Sequence, residues 1–279
     1  AALGWEPVPG SEAARRWIAE RDGSFATVIQ GEDPTAKPVV FDFSVGSLEF
    51  GPSALTVQGV VEAEIWSRTG SAVGVGRWDE VRLAYTGDDY ISMSGERRTV
   101  HMGVDLFRPA GTPVHAPLDG IVHSFCSHHD RFDYGGCIVL EHRPEGSPVF
   151  WTLYGHLSHA SISEMEEGRS LKQGEVFAHL GGFEENGGWV AHLHFQIITD
   201  MLDMEGTFPG VAAPGQRETW RSLSPSPMHL LGLSEEVNTP QGSSTAELLE
   251  KRSSRMGSAL SVAYKDKLHI VRGYMQTLY

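Results

Sequence analysis

The spacing of apolar and polar positions changes several times along the chain, and each change predicts an element. In residues 12–21, Ala14, Trp17 and Ile18 form one stripe at helical spacing, and Ser11 before them is a residue type suited to an N-cap. Residues 39–50 alternate like a half-buried strand, and residues 58–68 return to helical spacing. Residues 72–76 and 81–85 suit short strands. A turn-rich stretch, Phe107-Arg-Pro-Ala-Gly-Thr-Pro-Val-His-Ala-Pro-Leu-Asp-Gly-Ile-Val122, lies between two short apolar strands. After Ile198, proline and glycine crowd Phe208-Pro-Gly-Val-Ala-Ala-Pro-Gly215, and the chain from Trp220 to Leu231 reads as irregular, ending in a short helix. Residues 246–260 predict a charged helix exposed on most of its surface. The whole is mainly β, with a small N-terminal α+β extension and a C-terminal linker with a helix.

Candidate chemistry is concentrated between Arg97 and Ile198. Three histidine motifs occur there in order: His101-Met-Gly-Val-Asp105, Tyr154-Gly-His156-Leu157 and His192-Leu193-His194-Phe195. Together they read as one metal site. The third suits a strand, in which residues two apart share a face, so His192 and His194 point into one pocket with Gln196 following on that face. Helical zinc motifs want a spacing of three or four, and none occurs here. Tyr154, two residues before His156 on a predicted strand, is expected to lend its hydroxyl to the same pocket. For His115, His123, His128, His129, His142, His159, His179, His229 and His269 a surface or satisfied-core role is expected; the His128-His129-Asp130 run lies among loop-forming residues.

On these residues the chain resembles the lysostaphin and LytM-type zinc endopeptidases that cut peptidoglycan. The matching segments are His101-x-x-x-Asp105, Ala110-Gly-Thr-Pro-Val114, Asp119-Gly-Ile-Val122, Tyr154-Gly-His156-Leu157-Ser158, Leu171-Lys-Gln-Gly174 and His192-Leu-His194-Phe195. The resemblance implies an antiparallel β-sheet core of the duplicated hybrid motif type over residues 97–200. It implies one zinc ion with His101, Asp105 and His194 as ligands, and His156 and His192 as unliganded catalytic histidines. Two departures stand out. The family's Gly-Pro pair before His-Leu-His is Val190-Ala191 here, which alters the groove wall. Its glutamate after the phenylalanine is Gln196, which bears on the support of a ligand rather than on ligation.

The chemistry follows from the residue types as well. A hydrolytic zinc site takes about three protein ligands and leaves a position for water. Two neutral imidazoles and one carboxylate meet that demand, and also suit manganese, iron or cobalt. Bound water becomes a nucleophile near neutral pH, and the metal polarises the scissile carbonyl. Of His156 and His192, one moves the proton to the leaving amine and the other steadies the charge on the carbonyl oxygen; the sequence does not say which. The expected activity is zinc-dependent hydrolysis of a peptide or amide bond. The alternative is a non-hydrolytic metal-binding or scaffolding module, which Gln196 and the missing Gly-Pro favour, as the intact His156 and His192 pair favours hydrolysis.

A formal net charge of −14 excludes nucleic acid and anionic polymers as electrostatic partners. Cys126 and Cys137 are the only cysteines, too few for a disulfide framework; they could pair across neighbouring strands, with free buried thiols as the default. No apolar run approaches the ~20 residues of a membrane span, no signal-peptide pattern opens the chain, and the missing initiator Met suggests an excised piece.

Residues 260–279 resemble the opening of class III pyridoxal-phosphate aminotransferases, with the cofactor lysine absent, since neither Lys265 nor Lys267 fills that place. The two resemblances together suggest the middle of a bacterial fusion of a kinase-like domain, a LytM-like domain and an aminotransferase or phospholyase. That parent implies a cytoplasmic setting, with pyridoxal phosphate only in the missing domain and a small peptide or amide-linked amine as substrate; a free-standing cell-wall hydrolase would be exported. The expected division is 1–96 extension, 97–200 zinc peptidase core, 201–258 linker and helix, and 259–279 the start of the aminotransferase-like part.

Overall fold

The structure, a computed structural model, describes residues 8–238 apart from 46, 48, 49, 51–59, 83, 86–89, 93 and 94. The helix expected over 246–260 and the aminotransferase-like segment lie outside the described residues. Helix α1 (Ser11–Ala19) leads to strand β1 (Val39–Phe41), helix α2 (Val60–Thr69) and the short strands β2 (Gly74–Gly76), β3 (Glu80–Val81) and β4 (Val100–His101). Strands β5 (Val104–Phe107), β6 (Pro113–His115), β7 (Gly120–Ser127), β8 (Gly136–His142) and β9 (Phe150–Leu157) follow. After helix α3 (His159–Ser163) come β10 (Ser170–Leu171), β11 (Val176–His179), β12 (His192–Ile198), β13 (Val211–Ala212) and helix α4 (Arg217–Leu223).

Eight strands form the main sheet in the order β1-β2-β5-β12-β9-β8-β7-β10; β1 and β2 pair in parallel and the other neighbours are antiparallel. Two small antiparallel sheets, β11-β6 and β13-β4-β3, flank it. The mainly β reading holds. The N-terminal residues 1–96 contribute β1 and β2 directly to this sheet, on the far side of β5 from β12.

Alternation along β12 sends Leu193, Phe195 and Ile197 into a core with Val104, Leu106, Ile138 and Leu140. His192, His194 and Gln196 take the opposite face. Part of that second face is covered by the chain that follows, with Met201, Phe208 and Leu223 packed on Val139, Leu153 and Ile198. Burial on both faces explains why every residue of β12 is buried although its sequence alternates in polarity. The first part of the segment expected as a linker therefore packs on the sheet, and β13 pairs with β4 beside His101.

Several local expectations are corrected. Ser11 is the first residue of α1 rather than its cap: Gly10, at φ 84°, turns the chain in, and the Ser11 N–H donates to Val8 O. The helix ends at Ala19, before Arg21, because the Arg21 and Asp22 amides bond three residues back and tighten the turn. Its stripe of Ala14, Trp17 and Ile18 is buried as expected. Of the strand expected over 39–50, β1 takes Val39–Phe41 and Ser44 makes an isolated antiparallel bridge to Arg82, while Phe43 and Phe50 pack on Phe41. Among the described residues, the strand expected over 81–85 is present as Glu80–Val81 followed by the Arg82 bridge to Ser44, and the helix expected over 58–68 as Val60–Thr69. Between Trp220 and Leu231 the helix comes first, as the end of α4; Pro225 and Pro227 lie where it would continue.

Cys126 and Cys137 stand opposite each other across β7 and β8, and both thiols are free. Among the described residues no helix is long and apolar enough to cross a membrane.

His142 is fully buried, with Nδ1 2.9 Å from Asp119 O and Nε2 2.7 Å from Thr152 Oγ1, which in turn lies 2.9 Å from the Tyr154 hydroxyl. Burial pushes His142 down to about 4 from its ordinary 6.5. The folded chain therefore holds it neutral while the unfolded chain protonates it near 6.5, so its contribution is complete above that pH and is lost as the pH falls toward 4. Denaturant midpoints measured at several pH values across that window should fall steadily for the wild type and less steeply for His142→Gln.

Candidate metal centre

Each motif histidine is aimed by a hydrogen bond through its ring nitrogen that faces away from the pocket. His101 Nδ1 donates to Arg77 O at 2.9 Å, which turns Nε2 inward. His192 Nδ1 donates to Val190 O at 2.6 Å and His156 Nδ1 to Asn186 O at 2.9 Å, again leaving Nε2 with a lone pair. His194 is held the other way round. Gln196 gives its amide hydrogens to Ser224 Oγ at 2.7 Å and Pro209 O at 3.2 Å, so its Oε1 accepts from His194 Nε2 at 2.9 Å and Nδ1 turns inward. Gln196 thus fixes the ring of His194, a candidate ligand.

His101 Nε2, His194 Nδ1 and Asp105 Oδ1 converge. The separations are 3.0 Å between the two nitrogens, 3.2 Å from His101 to Asp105 and 3.6 Å from His194 to Asp105. Ligand atoms of a tetrahedral zinc with bonds of ~2.0 Å lie about 3.3 Å apart, so three corners of such a site are present and the donor types fit. Among the described residues this is the one group of three or more His, Cys, Asp or Glu side chains close enough to share an ion. His192 Nε2 lies 3.5 Å from Asp105 Oδ1, and the His156 and His192 rings are 4.3 Å apart. The structure brings all five predicted residues together.

The electrostatics suit metal binding. Burial, with Arg82 nearby, pushes His101 down to about 4, and burial, aided by its histidine neighbours, holds His156 well below its usual range. His192 is also lowered by burial. Burial works against ionisation of Asp105, but His101, Arg82 and His192 outweigh it and hold the carboxyl well below 3.8. His101, His156 and His192 are therefore held neutral beside an ionised Asp105, and a neutral imidazole with an ionised carboxylate is what ligation by His101 and Asp105 requires.

Tyr154 is a correction. In β12–β9 it pairs with Phe195, on the apolar face, while Gly155 pairs with His194. Regular alternation would place His156 beside Tyr154. Instead β9 carries an extra residue: Gly136 to Ile138 is two steps on β8 but spans Leu157 to Tyr154, three steps, on β9. His156 takes the left-handed backbone at φ 65°, at a cost on the order of 1 kcal/mol that its amide bond to Tyr134 O helps offset. The bulge moves His156 to the site face and leaves Tyr154 in the core, its hydroxyl near Thr152. Tyr134, rather than Tyr154, brings a hydroxyl to His194, 3.5 Å from its Nε2 and donating to Phe208 O at 3.1 Å. Its ring lies over Gly155, where a Cβ would meet it at 2.4 Å.

Sequence reasoning also missed Arg77, Arg82 and Asn186. The signal available was a charge at position 82 inside an apolar run and the glycines flanking Val75, which were read only as strand residues. The site opens into a cleft of ≈ 870 Å³ bounded by Tyr85, Tyr90, Arg98, Arg131, Phe132 and Trp189, among others. His128 pairs with Asp133 and His129 packs on His159, both apart from the metal cluster, as expected for these loop residues. Asp130 is exposed but reaches the cleft wall.

The profile of peptidase family M23 matches residues 99–205. Those residues form an M23 peptidase domain. All three candidate ligands and both further histidines lie inside the M23 match, whereas Arg77 and Arg82 precede it. The chain is 31% identical over 100 residues to the peptidoglycan DD-endopeptidase ShyC of Vibrio cholerae, a match covering 36% of this chain and 20% of the relative. It is 32% identical over 97 residues to the DD-carboxypeptidase/endopeptidase Mpg of Neisseria meningitidis, covering 35% and 20%. The chain thus spans about one fifth of the length of these curated relatives. Among solved structures, the catalytic domain of lysostaphin from Staphylococcus simulans is similar at 24% identity and a TM-score of 0.32, over 48% of this chain and 80% of that one. A zinc-containing peptidase from Vibrio cholerae is similar at 30% identity and a TM-score of 0.28, over 37% and 28%.

Two substitutions separate the site from its surroundings. An alanine at Gly103 would place its Cβ 2.5 Å from His194 Nε2 and 2.8 Å from Phe195 O, so Gly103→Ala should weaken zinc binding by more than about tenfold in a calorimetric titration. Tyr154→Phe should lower stability by about 1 kcal/mol, measured by denaturant unfolding, and leave zinc affinity unchanged.

Proposed function

We propose that this M23 domain hydrolyses a peptide or amide bond, with zinc held by His101 Nε2, His194 Nδ1 and Asp105 Oδ1. The observation that carries the reading is the pair of unliganded imidazoles beside that donor set. A closed structural metal site has no use for two further neutral histidines with their Nε2 lone pairs free of protein donors. Zinc bound there supplies a Lewis acid that polarises a carbonyl and makes water acidic enough to attack it near neutral pH.

The chain's own groups do the rest. His192 and His156 each have Nδ1–H committed to a backbone carbonyl, so each can take up a proton only at Nε2. One accepts the proton of the attacking water and passes it to the leaving amine; the other, once protonated or polarised, steadies the oxygen of the tetrahedral species. His192 Nε2 lies 3.5 Å from Asp105 Oδ1, which supports giving it the first role. His156 and His194 line the cleft yet are more than nine-tenths buried, and the lowered local dielectric strengthens each of these interactions.

For the substrate we favour a short peptide or an amide-linked amine. The names of the relatives give peptidoglycan as what one of them acts on. The net charge of −14 supports a small substrate over a polyanionic wall polymer.

Full-length protein loaded with zinc should cleave members of a panel of short peptides and amides, and a chelator should stop it. His194→Ala should lose tight zinc binding. His192→Ala should keep about one zinc per chain by elemental analysis and lose turnover, by about 10²-fold or more. Wild type that binds zinc yet cleaves neither peptides nor peptidoglycan would instead support the non-hydrolytic reading that Gln196 favours. Equal loss of zinc in both variants would overturn the ligand assignment.

A further inference from the structure

Arg77 and Arg82 are among the largest fully buried side chains of the protein, and the family match at 99–205 includes neither. Arg82 Nη1 donates to Asp105 Oδ2 at 2.6 Å and Nε to Glu80 Oε2 at 2.8 Å. Arg77 donates to the other oxygen of Glu80, Oε1, from Nε at 2.9 Å and Nη2 at 2.6 Å, and Nη2 also reaches Asp42. The backbone carbonyl of Arg77 is the group that holds His101. The short segment from Arg77 through β3 to Arg82 therefore touches two of the three candidate ligands, from behind.

Space has been left for this contact. Gly76 pairs with Asp105 across β2 and β5, and a Cβ at Gly76 would lie 2.9 Å from Arg82 Nη2 and 3.1 Å from Asp105 Oδ2. A side chain at position 76 would push the guanidinium off the carboxylate.

We propose that Arg82 is a positioning residue of the metal centre: by occupying Asp105 Oδ2 it restricts the carboxylate to one ligand oxygen, Oδ1, and so keeps the fourth metal position open. The proposal rests on the zinc site proposed above. An aspartate free at both oxygens can chelate a metal and fill the position that a hydrolytic site must leave for water. With Oδ2 engaged by a fully buried cation, the second oxygen is withheld, and Glu80 and Arg77 fix the cation in turn. The N-terminal segment is then a working part of the centre, although it carries no ligand and lies outside the recognisable domain. A purely structural ion cluster makes a different forecast, because well-packed apolar replacements of buried ion pairs are often neutral for folding and would leave a metal site alone.

The test compares full-length wild type, Arg82→Met and Gly76→Ala. Zinc affinity is measured by competition with a chromophoric chelator, and the visible absorption of the cobalt(II)-loaded proteins reports the coordination number. Thermal unfolding of the metal-free proteins reports the fold. Arg82→Met should bind zinc about 10- to 100-fold more weakly, and its cobalt bands should shift as Asp105 Oδ2 enters the coordination sphere in place of water or beside it. Gly76→Ala should move both readouts the same way by a smaller amount. Should Arg82→Met fail to fold, Gly76→Ala decides the question through its cobalt bands, since it retains the charge, and entry of Oδ2 into the coordination sphere changes those bands in a way that mere crowding of Asp105 by the new Cβ does not. Unchanged cobalt spectra and zinc affinity within about threefold of wild type would overturn the proposal while leaving the zinc site standing. Failure of the wild type to take up zinc would overturn both.

Discussion

In the antiparallel pair β5–β12, His194 stands opposite Asp105 and His192 opposite Phe107. Side chains alternate with a period of two, so a slip of one residue would send Asp105 to one face and the histidines to the other. The register is fixed from both sides. Leu193, Phe195 and Ile197 lie in the same core as Val104 and Leu106 on the apolar face, and β2 and β9 close the edges of the pair with hydrogen bonds. A two-residue slip would keep the faces but misalign the donors along the strands. The site therefore depends on long-range pairing, between segments some ninety residues apart in sequence, more than on any local motif.

That dependence decides what could be read from the sequence. The spacing of His192 and His194 was enough to reject a helix and place both on one face, and Gln196 followed with them. The location of the three candidate ligands and two further histidines was legible because each lies in a short motif. Tyr154 was misplaced because the same period-two argument was carried through a bulge, and nothing in Tyr154-Gly-His156 reveals that His156 adopts a left-handed backbone. Arg82 was passed over for a related reason: its partner Asp105 is 23 residues away, and a lone arginine in an apolar run looks like an edge residue until the strand pairing is known.

The ends of the core were harder still. Residues after Ile198 have the composition of a linker, rich in proline and glycine, yet Met201, Phe208 and Leu223 cover the second face of the sheet and Ser224 holds Gln196. Proline and glycine report how the backbone can turn, and they say little about what it lies against. Gly210 shows the same point at atomic scale: a Cβ there would lie 2.1 Å from the Tyr134 hydroxyl and 3.1 Å from His194, so the residue is small because the chain passes over the pocket. The clamp from the N-terminal side and the cover from the C-terminal side enclose the M23 domain between two segments with no ligands of their own.

Three of the four histidines at the centre are aimed by main-chain carbonyls, those of residues 77, 186 and 190, and only His194 is aimed by a side chain. A carbonyl is present whatever residue carries it. The side chains at those three positions do not themselves turn the rings, although Arg77 braces Glu80 and Asn186 bonds Trp189; what aims the rings there is the path of the chain. The orientation of His194, in contrast, is open to change by a single codon, at position 196. Variation in how this centre binds its ion can be acquired there, one substitution at a time, while the rest of the pocket keeps its geometry by inheritance of the fold.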